Sequence, residues 1–186
     1  MKKRIITLGG MPGSGKSTTG RSLASQLGYA RYSSGDFFRE MAAARGISLE
    51  EMNREAERDT GIDAAIDEWV RQKGALDRII IDSRMAFHWI PEGYNVFLAL
   101  DPRTAAQRTF ADAQGGLRTG QEAGTFDETY RNLLSRIESE KARYASLYGV
   151  DYTDASCYDR SVDTGSSGIE EVTAAILAGY EAWLAA

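Results

Sequence analysis

Gly10-Met11-Pro12-Gly13-Ser14-Gly15-Lys16-Ser17 satisfies the pattern G-x-x-x-x-G-K-[ST] at every position. The short apolar run Ile5-Ile6-Thr7-Leu8 precedes it, and a segment of helical periodicity, Thr18 to Leu27, follows. A glycine-rich loop between a strand and a helix is the context in which this pattern acquires physical meaning. Glycine takes positive φ without a Cβ clash, so the loop can wrap with its N–H groups pointing inward. Together with the N-terminus of the next helix, those donors form a concavity suited to phosphate oxygens. The expected nucleotide-binding set is therefore Gly10, Pro12, Gly13, Ser14, Gly15, Lys16, Ser17 and Thr18. Lys16 is placed to reach the β- and γ-phosphates of a nucleoside triphosphate, and the Ser17 hydroxyl to complete the coordination of Mg²⁺.

Outward from this loop the chain alternates strand and helix. Gly28 ends the first helix as a C′ residue, Tyr29 to Ser33 reads as a second strand, and Ser33-Ser34-Gly35-Asp36 opens another helix. Ser48-Leu49-Glu50-Glu51 has the capping-box pattern and starts a third helix; a fourth spans Ile62 to Gln72, with Ile62, Ala65, Ile66 and Trp69 on one face. Ile79-Ile80-Ile81 reads as a central parallel strand buried on both faces, ending in Asp82-Ser83-Arg84. A loop holding His88, Trp89 and Pro91 leads to a strand over Asn95 to Leu100, after which Asp101-Pro102 caps and starts a helix. Thr125-Phe126-Asp127-Glu128, a second capping box, opens a long helix to about Tyr148. Ser161 to Asp163 is a short strand. Ser167-Gly168-Ile169-Glu170 caps a last helix whose buried stripe is Ile169, Val172, Ile176, Tyr180 and Trp183. The expected fold is an α/β three-layer P-loop domain over residues 1–186, with about five parallel strands. A helical insertion occupies 35–74, and a glycine-hinged lid occupies 114–125, with Gly115, Gly116, Gly120 and Gly124 around Arg118.

Composition narrows the function classes. A formal charge of −5 over 186 residues argues against an extended nucleic-acid face. No apolar run reaches the ~18 residues of a membrane span, and Met1-Lys2-Lys3-Arg4 precedes too few apolar residues for a signal-peptide core. Cys157 stands alone, which fits a reducing, cytoplasmic setting. Lysine occurs only at positions 2, 3, 16, 73 and 141, so the basic complement is mostly arginine, whose planar fork suits bidentate phosphate contacts. Small-molecule partners, no nucleic acid, no membrane and a monomeric state are expected. A GTPase would carry Asn-Lys-x-Asp, whereas the asparagines here precede Arg54, Val96 and Leu133. A mechanochemical ATPase usually needs more chain. Small phosphotransferases combine a P-loop core, an acceptor-binding insertion and a lid that keeps water from competing as acceptor.

Within that class, Ser33-Ser34-Gly35-Asp36-Phe37-Phe38-Arg39-Glu40 resembles the acceptor-site turn of nucleoside monophosphate kinases, in which a helix carries an arginine to the acceptor phosphate. The chain is similar to the short, archaeal-type cytidylate kinases and their bacterial relatives. Supporting stretches are Arg45 to Glu51, Glu57-Arg58-Asp59 through Ile62-Asp63, Arg136 to Tyr144, Tyr148 to Asp151, Tyr158-Asp159 and Asp163-Thr164. The third strand departs from the family in ending Asp82-Ser83-Arg84 where archaeal members more often have Glu-Gly-Arg, and Gln114 to Gly124 aligns only loosely. The resemblance implies ATP and Mg²⁺ as cofactors and CMP or dCMP as acceptor. It implies Lys16, Arg84, Arg118 and Arg136 as catalytic residues, and an acceptor site of Ser34, Gly35, Arg39, Arg84, Arg136, Glu140 and Arg143.

Several of these residues have a plainer reading from the sequence. Arg39 also fits a solvated helix position. Asp82, paired with Ser17 as the metal-side residues, either holds Mg²⁺ through water or caps a turn. Arg136, Glu140 and Arg143 fall on one stripe of the long helix, which fits a surface ion-pair ladder. The same residues fit a base reader, because a carboxylate pairs with the cytosine amino group and a guanidinium with the ring acceptors; in bacterial cytidylate kinases an acidic residue and an arginine at this spacing read the base. Two alternative functions remain at this stage: a kinase with a hydroxyl acceptor, using Asp82 or Asp36 as base, and a nucleotide-binding regulator without turnover. Lys16→Ala is expected to lower turnover by about 10²–10³-fold or more while leaving the circular dichroism spectrum and melting transition in place. Ordinary turnover by the folded variant would refute the P-loop reading.

Overall fold

The computed structural model describes residues 2–115 and 124–186. Arg118 and most of the expected lid lie outside the described residues. Five strands form one parallel sheet in the order β2-β3-β1-β4-β5: β1 Ile5–Gly10, β2 Ala30–Ser33, β3 Ile79–Asp82, β4 Tyr94–Ala99 and β5 Arg160–Asp163. The central strands are apolar because helices cover both faces, and all residues of β1 and β3 are buried. β1 runs two residues beyond its apolar core because Gly9 and Gly10 still pair with Phe97 and Leu98 of β4. A Cβ on Gly9 would stand 2.5 Å from the Tyr158 ring, which explains a glycine inside a strand.

The helices are α1 Lys16–Leu27, α2 Ser34–Arg45, α3 Leu49–Ala56, α4 Thr60–Gly74, α5 Ala86–Trp89, α6 Pro102–Gln114, α7 Phe126–Tyr148 and α8 Ile169–Ala185. On one face of the sheet, Leu23 of α1 and Val172, Ile176 and Tyr180 of α8 pack on Ile6, Leu8, Ile80, Val96 and Leu98. On the other, Val70 of α4 and Ala86 and Ile90 of the α5 turn pack on Ile5, Ile79 and Ile81. The chain thus leaves β1 on one face and its neighbour β3 on the other, which opens a crevice between their C-terminal ends. Open α/β sheets place ligands at such a point.

Most boundaries follow local chemistry. Ser48 and Glu51 exchange both capping-box hydrogen bonds, as do Thr125 and Glu128. The expected loop at His88 and Trp89 is instead the single turn α5, anchored by buried Ala86 and Phe87 and closed by Ile90 N–H donating to Ala86 O at 2.8 Å. α4 starts at Thr60 rather than Ile62 because the Asp59 carboxylate accepts from Gly61 N–H at 2.8 Å. α8 is capped at Gly168, whose N–H donates to Glu171, and not by Ser167. Ile169 is 40% exposed, so the buried stripe of α8 begins at Val172.

The three helices α2 to α4 carry a core of their own, made by Ala42, Met52, Ala56 and Ile62 with Phe38, Met41, Ile47, Leu49 and Ile66 against them. Met52 is fully buried there. Met52→Ala removes its packing and is expected to cost about 2–5 kcal/mol, read as a lower melting temperature. Hydrogen exchange should accelerate in α2 to α4 before it does in β1 and β3. Uniform acceleration across both would show that these helices have no separate core.

Candidate active site

The loop after β1 is shaped by its glycines. Gly10, Gly13 and Gly15 have φ of 126°, 81° and 83°, values that only glycine adopts readily. The loop also rests on neighbouring backbone: a Cβ would stand 2.5 Å from Leu98 O at Gly10 and 2.8 Å from Ala105 O at Gly13. α1 begins at Lys16 with glycine as its N-cap and no side chain bonded to its first-turn N–H groups, so the helix presents open donors above β1. Lys16, Ser17 and Thr18 occupy that first turn. The Lys16 ammonium folds back over the loop, donating to Gly10 O at 2.9 Å and Met11 O at 2.8 Å. Burial, with Arg84 adding to it, pushes Lys16 down to about 7.

At the end of β3, Asp82 is buried and faces this turn. Its Oδ2 accepts from Ser17 Oγ at 2.7 Å, from Arg31 Nη2 at 3.2 Å and from Ser33 Oγ at 3.4 Å. The register sets this meeting, since Leu8 pairs with Asp82 and so does Ser33. The following turn is tied to the same point: Ser34 Oγ donates to Asp82 O at 3.3 Å, and Asp36 N–H to Ser33 Oγ. Gly35 lies inside that turn, and Arg39, one turn into α2, is about half exposed and paired with Asp36. Mg²⁺ characteristically keeps several waters and takes one or two protein ligands beside substrate phosphates. A serine hydroxyl against a buried carboxylate fits that requirement. No cluster of three or more His, Cys, Asp or Glu suited to a metal occurs among the described residues, as an all-protein cage would need.

Arg84 and the α7 stripe meet across the crevice. Glu140 is only 4% exposed. Its Oε2 lies 2.8 Å from Arg84 Nε and accepts from Tyr152 Oη at 3.2 Å, while its Oε1 accepts from Arg136 Nε at 2.9 Å. Burial would raise this carboxyl, but Arg84 and Arg136 more than offset it and hold it below the usual carboxylate range. The stripe is therefore no surface ladder, and Glu140 is not exposed as that reading requires. Arg143, one turn further, pairs instead with Asp63 of α4, Nε to Oδ2 at 2.7 Å. Burial raises the Asp63 carboxyl to about 6; Arg143 opposes the shift, and Asp67 and Glu140 add to it.

Four participants escaped the sequence reading: Asp63, Asp67, Tyr152 and Arg31. Asp67 is buried behind Asp63, accepting from Trp89 Nε1 at 2.8 Å and from the Tyr148 hydroxyl. A signal for the two aspartates existed. Asp63 and Asp67 interleave with Ile62, Ile66 and Val70 on the inward side of α4, and a carboxylate on a buried face needs a partner.

A family model described as an AAA domain matches residues 9–114. A cytidylate kinase from Methanocella arvoryzae is 35% identical over 175 residues, covering 92% of this chain and 94% of the relative. One from Thermoplasma volcanium is 38% identical over 179 residues, covering 92% and 88%. Among solved structures, a shikimate kinase from Bacteroides thetaiotaomicron superposes with a TM-score of 0.64 at 14% identity, over 97% of this chain and 98% of that one. The last is a likeness of fold alone.

The depressed Lys16 predicts proton-coupled nucleotide binding. A value of about 7 would leave Lys16 largely neutral in the free protein at pH 8. Phosphate oxygens favour the charged form, so ATP binding should take up close to one proton at pH 8 and progressively less towards pH 6, where Lys16 is already charged. Calorimetry in buffers of different ionisation enthalpy reads this directly. Equal uptake at both pH values would contradict a depressed Lys16.

Proposed function

The chain belongs to the cytidylate kinase family, and from that premise we propose that it transfers the γ-phosphoryl group of ATP to CMP or dCMP, giving ADP and the diphosphate. The observation that carries this reading is the convergence of Arg84 and Arg136 on one buried carboxylate, Glu140, beside the loop that holds Lys16. Two guanidiniums with their stems pinned suit an anionic acceptor better than a neutral one. A phosphate oxygen is already anionic near neutral pH, so the reaction needs no general base. Asp82, engaged by Ser17, Arg31 and Ser33, is better suited to holding those donors than to acting as a base for a hydroxyl acceptor.

In this assignment the loop N–H groups and Lys16 bind the triphosphate. Ser17 and, through water, Asp82 would hold Mg²⁺, which supplies charge neutralisation on the phosphates. Ser34, Gly35 and Arg39 receive the acceptor phosphate, and Arg84 and Arg136 lie where charge builds during transfer. Arg118 belongs to the same group of arginines by resemblance and lies outside the described residues. Catalysis then rests on positioning and electrostatics. Base reading moves one turn along α7. Glu140 is already engaged by two ion pairs and the Tyr152 hydroxyl, so we assign cytosine recognition to Asp63 with Arg143, whose opposite charges offer an acceptor for the exocyclic amino group and donors for the ring. No helix among the described residues is long and apolar enough to cross a membrane. The lone, exposed Cys157 supports a cytoplasmic setting.

An ADP-release assay across CMP, dCMP, UMP, AMP and GMP tests the proposal, with turnover of CMP or dCMP expected to dominate. Uracil places a carbonyl against the carboxylate, a mismatch of about 1–3 kcal/mol, so CMP should be preferred over UMP by roughly 10–100-fold. Asp63→Asn should narrow that ratio, because an amide can donate to the uracil oxygen. Glu140→Gln should instead lower turnover by about 10²-fold and leave the ratio unmoved. A ratio that shifts in Glu140→Gln and stays constant in Asp63→Asn would return base reading to Glu140.

A further inference from the structure

Arg31 belongs to no motif, yet its surroundings are built for it. It lies on β2, an edge strand, but its side chain is only 16% exposed. Gly20 of α1 makes the room: a Cβ there would stand 3.1 Å from Arg31 Nε. The guanidinium is spent on two carboxylates, Nη2 donating to Asp82 at 3.2 Å and Nη1 to Asp36 at 3.3 Å. Asp36 is in turn shared with Arg39. The result is a line of alternating charge, Asp82, Arg31, Asp36, Arg39, with the Ser17 hydroxyl on Asp82 at one end.

We propose that Arg31 is a positioning residue that couples the donor site to the acceptor site, so that each ligand raises the affinity for the other. This rests on the cytidylate kinase reading, in which Ser17 and Asp82 face the metal side of ATP and Arg39 faces the acceptor phosphate. The sign follows from the alternation. When Asp82 turns towards a cation at Ser17, Arg31 keeps Asp36 as its remaining partner. Asp36 then shares less of its charge with Arg39, and Arg39 is released to an anion. The converse holds from the other end: an anion on Arg39 leaves Asp36 to Arg31, which loosens its hold on Asp82. Coupling between sites is reciprocal by linkage. Asp36 and Arg39 are about half exposed and therefore screened. The effect should accordingly fall near the low end of known couplings, about 5-fold.

The test is calorimetric titration of CMP into the full chain, alone, with a saturating non-hydrolysable ATP analogue and Mg²⁺, and with the analogue plus a chelator. For the wild type, the Mg²⁺-loaded analogue should tighten CMP binding about 5-fold, and the chelated analogue less. Arg31→Met, which keeps an apolar stem beside Gly20, should bring the ratio close to one while the melting transition shows an intact fold. Arg31→Lys, which keeps the charge but not the fork, should restore part of it. Asp36→Asn breaks the next link independently and should also abolish the coupling. A ratio unchanged in both Arg31→Met and Asp36→Asn, or absent from the wild type, overturns the relay alone. Failure of the wild type to bind CMP at all overturns the acceptor reading and the relay with it.

Discussion

Taking a carboxylate out of water costs several kcal/mol unless cations and hydrogen bonds replace its hydration. Glu140 sits in the middle of this molecule under that constraint. Arg84, from the end of β3, and Arg136, from one turn earlier on α7, meet that cost together, with the Tyr152 hydroxyl as a third donor. Neither arginine would hold its place alone: a free guanidinium at a strand end samples many rotamers, and Arg136 is still 40% exposed along its side chain. The buried anion holds Arg84 by an ion pair and Arg136 by an ion pair with a hydrogen bond from its Nε. The group is costly to bury and at the same time gathers positive charge beside the phosphate loop, and removing one partner of such a pair typically costs about 3–5 kcal/mol.

The sheet decides which charges can meet. Because β3 lies between β2 and β1, its last residue is in register with Leu8 on one side and Ser33 on the other. Asp82 therefore faces the first turn of α1 and the start of α2 at once, and the next two residues carry the chain to Arg84. With α1 on one face and α5 on the other, the ends of β1 and β3 open onto a crevice, and the glycines at 10, 13 and 15 line it with backbone donors instead of side chains. The remaining helices act on this centre from outside. α7 brings Arg136, Glu140 and Arg143 on one stripe, and α2 to α4 bring Arg39 and Asp63 on a unit with its own small core.

Local patterns made much of this legible before any coordinates. The phosphate loop, the capping boxes at Ser48 and Thr125, the all-apolar β3 and the alternation of strand and helix each follow from chemistry within a few residues, and each reappears in the structure. What local pattern could not supply was the pairing of charges across elements. Arg136, Glu140 and Arg143 fit either an exposed ladder or a base reader from their spacing, and the partners that bury Glu140 and hold Arg143, namely Arg84 and Asp63, are more than fifty residues away in sequence. Asp63 and Asp67 lie off the face read from Ile62, Ala65, Ile66 and Trp69, and the helix in fact buries a side that includes both aspartates with Ile62 and Val70. Arg31 gave no signal, since its contacts depend on the edge register of β2 and on a glycine in another element. The α5 turn was missed for a related reason: a single turn has too few residues to show a period, and its burial of Ala86 and Phe87 is visible only in three dimensions.

In the proposed reaction the arginines organised by Glu140 select an acceptor already carrying a phosphate. Comparing CMP with cytidine as acceptors, by kcat/KM in one ADP-release assay at fixed ATP and Mg²⁺, tests it most directly. CMP should be preferred by several orders of magnitude, because cytidine leaves Arg84 and Arg136 without the anion they are placed to meet. Comparable efficiency with cytidine, or a preference for it, would contradict the account and make the site that of a hydroxyl-acceptor kinase.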